Sequence, residues 1–160
     1  MKSVYFLITI ISLNLSAQWQ TDFRLTNDPA VSRTSGTNVK CIGSDGNIVH
    51  IFWEDSRDGN SEIYYTRSTD GGINWGANTR LTNSTGSSGL PALSLSGQDL
   101  HIVWEDNRDG NFEIYYKHSA NAGISWGPDI RLTNYIQSSS VPSISLSGQV
   151  LHVAWVDNRA

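Results

Sequence analysis

The chain is short of cysteine. Of its 160 residues only Cys41 carries a thiol, so no internal disulfide framework can form and stability has to come from packing. Cys41 falls in an alternating apolar pattern, which suits a buried thiol. Positive charge is scarce as well. Eleven Lys and Arg stand against fifteen Asp and Glu, a formal net charge of -4 with no basic run, which excludes the electrostatic footprint a nucleic acid needs. Long apolar runs are missing too. The stretch from Val4 to Leu15 is interrupted by Ser12 and Asn14 and falls short of the about 20 apolar residues that span a bilayer. With Met1-Lys2 before it and Ser16-Ala17-Gln18 after it, it reads as a secretory signal peptide over residues 1–17. Its removal leaves no membrane span and places the mature chain, 18–160, in the medium or at the cell surface. Helical periodicity is the last absence: beyond the leader, no segment is long and periodic enough for a helix.

What is present is repetition. Trp53, Trp104 and Trp155 stand 51 residues apart, and around the first two the text Trp-Glu-Asp-x-Arg-Asp-Gly-Asn-x-Glu-Ile-Tyr-Tyr recurs with two differences, Ser56 against Asn107 and Ser61 against Phe112. A copy this long is a structural unit. Short alternating runs separated by Gly, Asn, Asp and Ser predict an all-β protein. In the second unit the strands are expected over 91–96, 99–105, 112–118 and 129–133. The first should follow with 39–43, 48–54, 62–67 and 79–82, and the third with 142–146 and 150–156. Four antiparallel strands per repeat describe a β-propeller blade. The expected layout is a lone outer strand over 23–27, which repeats the Arg-Leu-Thr-Asn of 80–83 and 131–134, then blades over 39–83 and 91–134 and a half-blade over 142–156. About two and a half blades are thus present. The text breaks off inside a repeat at Ala160, so the expectation is a fragment whose further blades come in cis or by self-assembly.

Between the third and fourth strands of the first unit lies Ser68-Thr69-Asp70-Gly71-Gly72-Ile73-Asn74-Trp75, the pattern Ser-x-Asp-x-Gly-x-x-Trp. The second unit carries Ser119, Gly123 and Trp126, with Asn121 where the pattern has aspartate. This box closely resembles the signature of the sialidase-like Asp-box, or bacterial neuraminidase repeat, family of β-propellers. The physics of the box is structural: Ser68 and Asp70 can accept backbone N–H bonds in a tight loop, Gly72 permits a positive φ, and Trp75 can pin the loop to the sheet. On that reading Trp75→Ala should cost about 3–5 kcal/mol.

The connection after the second strand gathers Asp55, Arg57, Asp58, Asn60 and Glu62, and its copy gathers Asp106, Arg108, Asp109, Asn111 and Glu113. These ten form the candidate ligand-facing loops, although a hairpin whose arginine pairs locally explains them equally. A calcium loop does not fit, because Arg57 stands where an EF-hand needs an oxygen donor. His50, His101 and His152 recur in phase, but equivalent positions on sheets about 10 Å apart do not converge on one metal ion. No metal and no cofactor is expected. The sialidase resemblance implies an arginine triad, a tyrosine nucleophile with its glutamate, and an acidic proton donor. No such set is found, and Tyr64, Tyr65, Tyr115, Tyr116, Glu54 and Glu105 are all duplicated where catalysis needs one of each. No catalytic residue is assigned. The expected function is a secreted binding module for glycans or other surface ligands, with two alternatives: an exo-sialidase or related glycoside hydrolase catalysing through residues beyond 160, or a structural repeat of an adhesin-like protein.

Overall fold

The computed structural model describes residues 24–34 and 40–158; the expected signal peptide lies outside them. The described chain is all-β, with no helix and every strand pair antiparallel. The best-formed sheet comes from the second unit, with strands β6 (Ser88–Ser96), β7 (Asp99–Asp106), β8 (Glu113–Ser119) and β9 (Ile130–Arg131) side by side in chain order. In the first unit β3 (Ile48–Asp55), β4 (Glu62–Ser68) and β5 (Thr79–Arg80) repeat that order. Strands β10 (Ser139–Ser147) and β11 (Val150–Asp157) form a two-stranded sheet.

The inner strand of the first unit differs from expectation. Instead of one strand over 39–43 there are two pieces, β1 (Ser32–Arg33) and β2 (Ile42–Asp45), both paired to β3. The pairs Ser32↔Asp55 and Arg33↔Glu54 copy Ser88↔Asp106 and Gly89↔Glu105. From Arg33 to Cys41, whose carbonyl accepts from Phe52, is eight steps, whereas the matching step from Gly89 to Ala92 is three. Five extra residues therefore split the strand. The outer strands are also shorter than expected. After Arg80 the ladder bond from the Ile63 N–H goes to the Thr82 hydroxyl at 2.8 Å instead of a backbone carbonyl, and Thr133 does the same for Ile114. Of the lone outer strand expected over 23–27, Phe23 lies outside the described residues and 24–27 carry no strand.

The units pack face to face. Alternation puts Phe52, Ile63 and Tyr65 of the first sheet against Leu93, Leu100, Ile102, Trp104 and Tyr115 of the second, in one buried cluster. Ala92, Val103 and Ile114 then meet Ile144 of the third, with Leu151 and Val153 beside them. Strands β7 and β8 bury side chains on both faces because a neighbour covers each face. Cys41 is half-buried, short of the expected buried thiol. His50 and His101 each bond a tyrosine hydroxyl of their own sheet, Tyr65 and Tyr116, at 2.8 Å.

Candidate functional site

The loops over 68–75 and 119–126 are built as their residue types demand. The Ser68 hydroxyl accepts from the Gly72 N–H at 2.9 Å and donates to Asp70 at 2.7 Å, while Asp70 accepts from the Asn74 N–H at 2.8 Å and the Asn74 amide at 2.7 Å. Those bonds, the Asn74 N–H first, hold the Asp70 carboxyl down to about 2. Asn121 accepts from the Ser125 N–H at 2.9 Å in the same way, without the charge. The tryptophans differ. Trp126 stands edge-on to Phe52 and Tyr65 of the preceding unit, with ring centroids 5.8 and 5.3 Å away. Trp75 is half-buried and stacks on no ring among the described residues. In the second unit the box tryptophan thus meets rings of the preceding unit, and the full anchor cost expected at Trp75 is the one to look for at Trp126.

The hairpin loops turn their charges inward. Asp55 is wholly buried and accepts from five donors: Ser32 Oγ at 2.8 Å, Trp53 Nε1 at 2.9 Å, and the Arg57 N–H, Nε and Nη2 at 3.0, 2.9 and 2.6 Å. Burial alone would raise its carboxyl; the Arg57 fork and the other donors instead hold it well below the usual carboxylate range. The copy is faithful, with Asp106 receiving Ser88, Trp104 and the Arg108 fork. Each arginine lies over a tyrosine ring, Arg57 on Tyr64 at 4.6 Å and Arg108 on Tyr115 at 4.4 Å. Glu62, also buried, takes the Asn60 amide, Arg80 Nη2, the Ser84 N–H and the Thr82 hydroxyl. Glu113 takes Asn111, Arg131, Tyr135 N–H and Thr133. The tyrosine hydroxyls of 64 and 115 donate to Asp58 and Asp109, the most exposed of the ten loop residues' carboxylates. Asp55, Glu62, Asp106 and Glu113 therefore do not face a ligand space as expected: a buried carboxylate needs donors on every side, and the neighbouring strands supply them.

Glu54 and Glu105 are partly exposed. They sit one residue before the buried aspartates and so point to the opposite sheet face; both border a cleft of about 280 Å³ between the first and second units, which Arg33, Ser61, Gly89 and Phe112 also line, with the Glu105 carboxyl turned to the third unit at Val141. Glu54 accepts from the Ser61 hydroxyl at 2.8 Å and lies so close to Gly89 that an added methyl group would come within 3.0 Å of it. In the copy, residue 112 is phenylalanine, and Glu105 accepts instead from the Val141 N–H at 3.0 Å. Burial first, and then the charge of Glu54, push the Glu105 carboxyl above its ordinary value. Duplication of Glu54 and Glu105 in the sequence hides this pair, and the signal that marks it is Ser61 against Phe112, one of the two mismatches between the repeats. Three or more metal-ligating side chains gather nowhere among the described residues. No family model, curated protein or solved structure matches the chain.

Proposed function

We propose that the chain is a secreted module of the sialidase-like Asp-box β-propeller kind, each sheet a blade, and that it binds a neutral glycan in the cleft between neighbouring blades. The blade reading is supported by four antiparallel strands in chain order, by face-to-face packing of successive units, and by a Ser-x-Asp-x-Gly-x-x-Trp loop between third and fourth strands. The observation that carries the ligand reading is the contrast between used and open carboxylates. Asp55, Glu62 and their copies are saturated within the fold, whereas Glu54 and Glu105 border a cleft together with serine hydroxyls and the Phe112 ring. Carboxylates accept from sugar hydroxyls, and an aromatic ring offers an apolar face to sugar C–H groups, the mixture of few polar groups and apolar wall that small-molecule sites use. Two glutamates beside the single Arg33 repel an acidic sugar, so the cleft favours a neutral glycan over a sialoside.

The test is a titration of the isotopically labelled chain with neutral oligosaccharides and, separately, with sialyllactose, followed by amide chemical shifts. Neutral sugars should shift Glu54, Ser61, Gly89 and Glu105, and the response should vanish in Glu54→Gln/Glu105→Gln. A stronger response to sialyllactose would overturn the neutral reading. Silence towards every sugar would leave a structural repeat, and release of a fluorogenic aglycone from a sialoside would restore the hydrolase.

A further inference from the structure

The three units place different residues at one position of the inner strand. Arg33, Gly89 and Ser140 pair with Glu54, Glu105 and Val156 in matching register, so the fold accepts a long, an absent or a short side chain there. Backbone geometry does not require glycine at 89 either, since Gly89 is not one of the glycines with positive φ. The left-handed residue is the next one, Leu90 at φ +49° and its copy Val141 at φ +53°. Each precedes a proline, Pro91 or Pro142, where the ladder shifts register in a bulge. A bulge bends its strand and re-aims the groups on it, and strain of this kind persists where the surroundings hold it.

What the missing side chain does is visible across the junction between the first and second units. Gly89 is buried with the Glu54 carboxyl against it: a Cβ built there would stand 3.0 Å from Glu54 Oε2 and 3.6 Å from its Cδ. The Ser61 hydroxyl donates to the other oxygen, Oε1, at 2.8 Å and is the one hydrogen-bond partner of the Glu54 carboxylate among the described residues. Oε2 is thus left as an acceptor beside the cleft that Ser61, Gly89 and Phe112 line. One junction on, the same arrangement is closed. Ser140 stands in place of the glycine and Phe112 in place of Ser61, and the Val141 N–H donates to Glu105 Oε2 at 3.0 Å.

We infer that Glu54 is the carboxylate that meets the sugar, accepting one of its hydroxyls on Oε2, and that Gly89 is a positioning residue that seats this carboxylate and keeps that oxygen open. Both roles rest on the neutral-glycan reading of the cleft and narrow it to one glutamate of the two. A serine at 89 would press its methylene on the carboxylate and bring a hydroxyl within reach of Oε2, an internal donor in place of the sugar's. An alanine would press on the carboxylate without donating. Neither change asks the backbone for a conformation it lacks, because Ser140 already occupies the matching position in β10.

The test uses the full chain and its variants Gly89→Ala, Gly89→Ser and Ser140→Gly, each melted and then titrated with the neutral oligosaccharides. All three variants should melt with the parent. Gly89→Ser should bind about tenfold more weakly or worse, Gly89→Ala should fall between it and the parent, and Ser140→Gly should bind as the parent does. In the parent, sugar should move the carboxyl carbon resonance of Glu54 more than that of Glu105. Equal binding by Gly89→Ser, a lowered melt of that variant, an equal loss in Ser140→Gly, or a larger shift at Glu105 would each overturn these roles and leave the glycan reading standing. A parent chain that binds no sugar overturns both.

Discussion

Glu105 and Asp106 are neighbours on β7, and the fold drives their acidities apart. Burial favours the neutral form of both. For Asp106 the Arg108 fork, Ser88 and Trp104 outweigh it and hold the carboxyl below its usual range; for Glu105 the single Val141 N–H does not, and the charge of Glu54 adds to the rise. A carboxylate whose folded pKa is raised contributes most below its unfolded pKa, about 4.3 for glutamate, and loses that contribution as pH climbs through the folded value. Glu105→Gln keeps the acceptor for Val141 and removes the buried charge. The variant should melt higher than the parent chain near neutral pH and equally at about pH 3, well below the unfolded value, where both side chains are uncharged. A lower melting temperature at neutral pH would show that the carboxylate is paired after all. Such a gain at the cost of ligand binding is the trade expected of a functional residue.

At the scale of elements, the loops over 68–75 and 119–126 share a local structure and differ in what they hold. Trp126→Ala removes a ring packed on Phe52 and Tyr65 and should cost about 3–5 kcal/mol, while Trp75→Ala should cost clearly less by urea unfolding. Glycine separates the loops again. At Gly72, with φ +93°, an added methyl group meets only Trp75 at 3.7 Å, so alanine carries the left-handed backbone cost alone, roughly 1–2 kcal/mol. At Gly123, with φ +76°, the methyl group would overlap the Tyr65 hydroxyl, and Gly123→Ala should be the more damaging of the two. Equal costs at 72 and 123 would mean that the two units are not clamped together here. The box itself was legible in the sequence because its bonds span at most a few residues. The clamp was not, since Phe52 and Trp126 are brought together only by stacking of units. The inward turn of Glu62 escaped because its donors Arg80, Thr82 and Ser84 lie 18, 20 and 22 residues along the chain, in and after β5. The strands of the second unit were legible from two-residue alternation, and β1 was not, because five extra residues break the phase of the repeat.

For the molecule as a whole, each unit packs only against its neighbours among the described residues, so stability should sum over units and the interfaces between them. The second unit has two such interfaces, and the third has one covered face and one bare. Opening free energies should then be graded along the chain rather than uniform. Amides of β7 and β8 are expected to exchange slowest in native-state hydrogen exchange. Those of β11 should exchange faster despite the same sequence pattern, because Trp155 lacks the cover that Trp104 has. Mutation separates this gradient from local accidents of exposure. Trp104→Ala removes a buried ring from the cluster joining the first two units and should speed exchange in both sheets, whereas Trp155→Ala should leave β7 and β8 unchanged. Exchange in β11 as slow as in β7, with both variants accelerating every strand alike, would make the chain one cooperative body and refute the nearest-neighbour account.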